Sequence, residues 1–142
     1  MLAAGLVLLT ASCTEDDAPL ADELSGYTDA GDGCAQVVSA IAYADSVLKP
    51  LGQEQYQDWD EAVRSRLAAV DGTIALEVRD MPDDDVLDQA RRVGELADRT
   101  AAARTTGAER VRSLREYRRE AAQLVLDCGP YVDTSDRPSA AG

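Results

Sequence analysis

The chain has 142 residues, enough for one small domain, and its 27 acidic residues against 14 basic ones give a formal net charge of −13. This charge argues against nucleic acid as a partner, because nucleic-acid binding rewards clustered Lys and Arg. The sequence has no histidine, the commonest general base and metal ligand at neutral pH, so we expect neither enzyme activity nor a cofactor.

The chain opens with an uncharged, leucine- and alanine-rich run over residues 1–12 that ends at Cys13. This length suits the core of a signal peptide and is too short for a membrane-spanning helix, which needs about 20 apolar residues. Ala11 and Ser12 are the small residues that signal peptidases require, and the junction resembles that of a bacterial lipoprotein, in which the cysteine carries lipid. We therefore predict a signal peptide over 1–12 and lipidation of Cys13.

Two features of the leader depart from the lipoprotein pattern. Thr10 stands where that pattern prefers leucine, and no Lys or Arg precedes the apolar run. A positive charge at this place orients a signal peptide in the translocase. Because it is missing here, we expect the true start to lie upstream. An ordinary secretory signal cut elsewhere, or a stray apolar terminus, is the alternative.

Three cysteines, Cys13, Cys34 and Cys128, occur in the chain. If Cys13 carries lipid, the other two remain as an even pair in an exported protein, where disulfides persist. We therefore predict a Cys34–Cys128 disulfide; the alternative is two free buried thiols.

Two flanking segments lack any sustained apolar period. Residues 13–33 are rich in acidic, Ser, Gly and Pro residues, which indicates a flexible acidic tether. Residues 129–142 have a similar character and are predicted to be a disordered tail. The block between them, residues 34–128, is the predicted folded domain.

Apolar residues in that block recur at steps of three or four, and no alternating strand pattern appears. We therefore predict an all-α fold, an up-down-up-down four-helix bundle, with helices over about 34–48, 54–79, 82–103 and 106–128. Because Phe is absent and Trp occurs once, the core has to be built from Ala, Leu, Val and Ile.

Local signals mark the helix ends. Pro50 ends the first helix, and Gly72 marks either a kink or a true break in the second. Pro82 suits the start of the third helix. Thr106 and Glu109 have the spacing of a capping box that opens the fourth.

The cysteines agree with four helices. An even number of antiparallel helices returns the chain to the end where it started, so Cys34 and Cys128 fall together. With three helices they would lie at opposite ends, too far apart to bond.

The fourth predicted helix holds the one local concentration of positive charge. Arg112, Arg115 and Arg119 share a face, which predicts a docking stripe for an acidic exported protein or an anionic wall polymer. The alternative is a solvated surface in which Arg112 and Arg119 pair with Glu116.

Two other groups of residues have a structural interpretation as well as a functional one. The acidic cluster near the third helix start lacks the spacing of a calcium loop, so we predict no metal site there. Tyr43, Tyr56 and Trp59 suit either the floor of a ligand pocket or the bulky part of the core. The acidic cluster comprises Asp80, Asp83, Asp84, Asp85 and Asp88.

With its LLTASC junction, acidic tether and helical block, the chain resembles the small helical lipoproteins of unknown function of high-GC Gram-positive bacteria. The resemblance implies a lipid anchor on the outer face of the cell membrane and carries no activity. The first hypothesis is an envelope-anchored interaction module. The alternative is an extracytoplasmic carrier of a small haem-like ligand or a metal. The haem version is similar to disulfide-bonded helical haem-binding exported proteins, with tyrosine or methionine as ligands in the absence of histidine.

Overall fold

The computed structural model describes residues 32–132, which form four α-helices and no strand. The predicted all-α class and the number of helices are confirmed over this range. The predicted signal peptide, Cys13 and most of the tether and tail lie outside the described residues. The helices are α1 (Asp32–Asp45), α2 (Glu61–Glu77), α3 (Asp84–Ala101) and α4 (Gly107–Cys128), and 3₁₀ turns occur at Glu54–Tyr56, Val78–Asp80 and Gly129–Tyr131.

The domain extends slightly beyond its predicted limits. Asp32 and Gly33, assigned to the tether by the sequence, belong to α1. At the other end, residues 129–131 form a 3₁₀ turn, and Val132 packs against the core. Within residues 32–132, no helix is both long and apolar enough to cross a membrane.

Side-chain caps start three of the helices. Asp60 and Asp83 each accept a hydrogen bond, 2.9 Å long, from the backbone N–H three residues further on, and they open α2 and α3. Thr106 and Glu109 form the predicted capping box at the start of α4. Such caps satisfy backbone donors that a helix leaves unpaired and stabilise it by about 1 kcal/mol each.

The second helix begins later than the sequence predicts. Residues 54–56 form a 3₁₀ turn, and α2 starts only at Glu61. The side chain of Gln57 accepts the backbone N–H of Lys49 at 2.6 Å, and Gln57 itself is extended. This contact fastens the connection between α1 and α2 where helix was expected. Gly72 lies inside α2, which continues through it without a break. Its position is exposed and has open space around it.

The buried core is formed by apolar residues that recur at steps of three or four along the helices, the spacing from which the helices were predicted. Tyr117, fully buried on α4, is its largest side chain. The interpretation of Tyr43 and Tyr56 as core residues is wrong, because both are exposed, whereas Trp59 packs partly buried against the core from just before α2. The buried apolar residues are Cys34, Val37, Ile41 and Ala44 of α1, Val63, Leu67, Val70 and Ile74 of α2, Val86, Ala90, Val93 and Ala97 of α3, and Leu114, Tyr117, Ala121, Leu124 and Cys128 of α4.

Each helix packs against the next one in the chain, and α1 also meets α4, though more sparsely. The predicted disulfide is present: Cys34 and Cys128 are bonded, with their Cα atoms 5.4 Å apart. The bond joins residues separated by 94 positions. On the chain-entropy account, a closed loop of this size contributes roughly 4–5 kcal/mol to the free energy of unfolding.

Gly33 allows α1 to approach the turn that follows α2. A Cβ atom at Gly33 would lie 2.6 Å from the carbonyl oxygen of Asp80. That oxygen belongs to the backbone and cannot swing aside as a flexible side chain would. The start of α1 is therefore seated against residues 78–80 because residue 33 has no side chain.

We predict opposite effects for two glycine-to-alanine changes. Gly33→Ala should lower the free energy of unfolding by about 1–3 kcal/mol, because the added methyl group overpacks a backbone contact. Gly72→Ala should raise it by about 0.5–1 kcal/mol, because alanine is the better helix former and nothing lies within 4 Å of its Cβ. Chemical denaturation followed by circular dichroism measures both, and equal effects would contradict the close approach.

Candidate anion-binding surface on the fourth helix

The five arginines of α4 have different surroundings, although the sequence presents them as one basic run. Some are occupied by contacts inside the domain and others point toward solvent. Which of them remain available to a ligand decides what the surface can do. The five are Arg110, Arg112, Arg115, Arg118 and Arg119.

Arg118 and Arg115 bind the buried carboxylate of Glu54. One guanidinium nitrogen of Arg118 lies 3.0 Å from Glu54 Oε1, and Nε of Arg115 lies 3.5 Å from Oε2. Arg118 also donates to the backbone carbonyl of Lys49. The side chains of Glu54 and Arg118 are only 4% and 11% exposed. These two arginines therefore fasten the α1–α2 connection to α4, and Arg115 is only partly free for an external ligand.

The charge of Glu54 is strongly favoured in the folded state. A hydrogen bond from its own backbone N–H is the largest cause, and the Gly52 N–H and the Arg118 guanidinium act in the same direction. Burial opposes them, but the net result lowers the pKa of Glu54 to about 2. The Gly52 N–H donates to Oε1 at 3.1 Å. The carboxylate thus stays ionised through mildly acidic conditions.

Arg110 and Arg119 have local partners. Arg110 donates to the carbonyl of Ala102 at 2.6 Å, and its guanidinium lies 5.1 Å from the ring centroid of Trp59. Arg119 is exposed and lies 3.8 Å from the carboxylate of the adjacent Glu120. Arg110 therefore serves the fold, whereas Arg119 remains accessible.

Arg112 faces a depression that it shares with two arginines outside α4. Arg99 comes from the end of α3 and Arg104 from the connection before α4, and all three side chains are exposed. The depression has a volume of about 450 Å³. Among the ion pairs of residues 32–132, none involves these three arginines. We call Arg99, Arg104 and Arg112 the arginine triad.

Two glutamates also line the depression and leave the triad with a net positive charge. Glu109 is already occupied, since the N–H and the hydroxyl of Thr106 both donate to its Oε2. The Thr106 hydroxyl, with the Thr106 N–H and the charge of Arg112, lowers the pKa of Glu109. Glu116 lines the depression too, but the predicted pairs of Glu116 with Arg112 and Arg119 do not form in the described chain. Guanidinium groups so placed suit carboxylate or phosphate oxygens.

The predicted docking stripe on α4 is therefore only partly available to a ligand. Arg112, Arg115 and Arg119 are all exposed on α4, yet only Arg112 joins other free arginines. Sequence reasoning missed Arg99 and Arg104, although Arg104 lies just before the Thr106 cap, which places it beside the first turns of α4.

The acidic cluster at the start of α3 does not gather as a metal site. Asp83 caps α3 through the Val86 N–H, and Asp88 lies 3.7 Å from Arg91. Within residues 32–132, no three His, Cys, Asp or Glu side chains converge in a way that would hold a metal ion.

The chain matches no protein-family model, no curated protein and no solved structure. Its function is therefore inferred from its own residues and their geometry.

We predict that Glu54→Gln lowers the free energy of unfolding more than the loss of an ordinary surface ion pair does. The variant should lose about 1–3 kcal/mol of the free energy of unfolding at pH 7, because the Arg118 guanidinium keeps a neutral acceptor but loses its charged partner. The matched change Glu61→Gln, which removes an exposed pair with Arg64, should cost less than about 1 kcal/mol.

The lowered pKa of Glu54 predicts how the free energy of unfolding depends on pH. Because the pKa of Glu54 is lowered in the folded state from 4.5 to about 2, its stabilising contribution is complete above pH 4.5 and disappears as the pH falls to 2. The difference in unfolding free energy between wild type and Glu54→Gln should therefore shrink across this window. A difference that stays constant from pH 7 to pH 2 would contradict the lowered pKa of Glu54.

Proposed function

We propose that this chain is a membrane-anchored helical interaction module on the extracytoplasmic face of a bacterial cell membrane. The apolar leader that ends at Cys13 supports export and a lipid anchor. The Cys34–Cys128 bond supports the same location, since disulfides persist in oxidising compartments.

We further propose that the four helices run up-down-up-down. Each helix contacts its successor in the chain, and a short connection, residues 102–106, joins α3 to α4. The bond between the start of α1 and the end of α4 suits this order, in which both lie at one end of the bundle.

The observation that carries the proposed function is the arginine triad. Arg99, Arg104 and Arg112 line one depression, and no acidic side chain of residues 32–132 forms an ion pair with them. A chain with a net charge of −13 repels acidic molecules in general, so a local positive depression makes their binding site-specific. The ligand presents carboxylate or phosphate groups, as an acidic segment of an exported protein or an anionic wall polymer does.

We predict that charge reversal in the triad abolishes this binding. The double variant Arg104→Glu/Arg112→Glu should bind a labelled polyglutamate peptide at least about tenfold more weakly than wild type, because two attractive charges become repulsive. Arg115 is kept, since reversing it would also disturb Glu54 and the fold. Fluorescence anisotropy at physiological salt measures the affinity.

The matched control reverses two exposed arginines elsewhere, Arg79→Glu/Arg91→Glu, and changes the net charge equally. It should keep its affinity within about twofold, and an equal loss in both variants would mean that only net charge matters. Replacing polyglutamate by a polyphosphate or a wall-polymer fragment shows which of the two ligand chemistries is preferred.

We predict a lipid-sized mass increment on a chain that begins at Cys13 in the membrane fraction. Intact mass spectrometry, before and after reduction and alkylation, measures this directly. Two alkylation sites, at Cys34 and Cys128, should appear only after reduction, because both sulfurs are bonded in the folded domain. A soluble chain without the increment would contradict the anchor, and free thiols before reduction would contradict export.

A further inference from the structure

An apolar groove runs between α1 and α4, on a part of α4 distinct from the arginine triad. It has a volume of about 490 Å³, and its apolar lining is formed by Ile41, Leu51, Ala122, Val125 and Leu126. Leu51 is 80% exposed and Leu126 is 71% exposed. Single exposed leucines are common on protein surfaces, but these two flank the same groove and form one apolar patch.

The groove lies between two points at which α4 is fastened, to α1 at one end and to the α1–α2 connection at the other. The Cys34–Cys128 bond closes one end, and the contacts of Arg118 with Lys49 and Glu54 close the other. Overall, α1 and α4 pack against each other more sparsely than neighbouring helices elsewhere in the domain do. A covalent bond and a buried ion pair therefore bound the groove at its two ends.

An acidic depression of about 660 Å³ adjoins the groove, and Leu126 lines both. Arg92 is the one basic residue among those that line it, and its guanidinium donates to the Gln89 side chain. The acidic residues of the lining are Asp83, Asp85, Asp88 and Asp127.

Within the groove, the charge that remains available is also negative. Arg118 lines it, but Glu54 and the Lys49 carbonyl occupy its guanidinium. Asp45 lines the groove on the α1 side and has no ion pair among the described residues. An apolar track is thus bordered by carboxylates on both sides.

We propose that the groove and the adjoining acidic depression form a docking site for a basic amphipathic helix of another polypeptide. Its apolar face fills the groove beside Leu51 and Leu126, and its Lys or Arg residues lie over Asp45, Asp127 and the acidic depression. Binding of an amphipathic helix along an apolar groove is a recurrent mode of peptide recognition, and complementary charge sets the partner and its orientation. This site is independent of the arginine triad and has the opposite charge preference.

The chain's own flanking segments lack the required chemistry. Residues 1–12 are uncharged, and residues 13–31 contain acidic residues but no Lys or Arg. Residues 133–142 have more acidic than basic residues and no large apolar side chain. Charge complementarity therefore favours a separate basic polypeptide over either of these segments, and the acidic border repels an anionic membrane surface.

The test uses a short labelled peptide with leucine and lysine at helical spacing, measured by fluorescence anisotropy against the full chain. We expect saturable binding. A peptide of the same composition with alternating spacing, and one with glutamate in place of lysine, should bind at least about tenfold more weakly, because neither presents an apolar stripe beside positive charge.

Matched variants locate the binding site. Leu126→Ser should weaken binding about tenfold or more, whereas Leu76→Ser, at a similarly exposed leucine on α2, should leave it within about twofold. Asp127→Asn should weaken binding several-fold at low salt and less at high salt, whereas Glu95→Gln, an exposed change outside the site, should have little effect. Thermal unfolding of each variant shows that the fold is kept, as expected for exposed positions.

Three results would overturn the proposal. The first is the absence of saturable binding. The second is equal binding of the helical and alternating peptides with no effect of Leu126→Ser, which would mean attraction by net charge alone. The third is a dimer of the chain, seen by sedimentation, that Leu126→Ser dissociates and that the peptide cannot displace, which would make a second copy the occupant. None of these results depends on Arg104 or Arg112, so this proposal and the proposed function fail separately.

Discussion

The bond between Cys34 and Cys128 joins the first helix of the domain to the last, and the α1–α4 seam depends on it. The core is poor in large side chains, because Phe is absent and α1 buries mainly small side chains such as Cys34, Val37 and Ala44. Small side chains bury little apolar area, so packing stabilises the seam only weakly. A covalent link lowers the conformational entropy of the unfolded chain. It therefore stabilises the domain without filling the space between the helices. The groove beside Val125 and Leu126 is the consequence.

The buried ion pair of Glu54 and Arg118 divides the basic residues of α4 by role. Arg118 and part of Arg115 are bound to the α1–α2 connection, whereas Arg112 remains free beside Arg99 and Arg104. The same helix thus fastens a loop, presents positive charge near its start and borders an acidic, apolar region near its end. The domain therefore carries two surfaces of opposite charge character, the arginine triad and the groove with its acidic border.

Much of the fold followed from local pattern. Apolar spacing predicted the buried faces of all four helices, and the Thr106–Glu109 spacing predicted the cap of α4, because both depend on residues within one or two turns. The start of α2 was missed. Its apolar spacing continues upstream, but Glu54 is drawn to Arg118, 64 positions away, and Gln57 to Lys49. Local propensity does not reveal such a contact, because it competes with helix only once α4 is in place.

By itself, the sequence determined the helical class, the cap of α4, the pairing of the two cysteines and the excess of negative charge. These properties depend on composition, on short-range spacing and on the parity of cysteines. Only the tertiary structure decided which arginines are free, since neutralisation of Arg115 and Arg118 requires Glu54 from a distant segment. It also decided where apolar surface stays uncovered, because a groove is a property of the space between two helices and not of either helix alone.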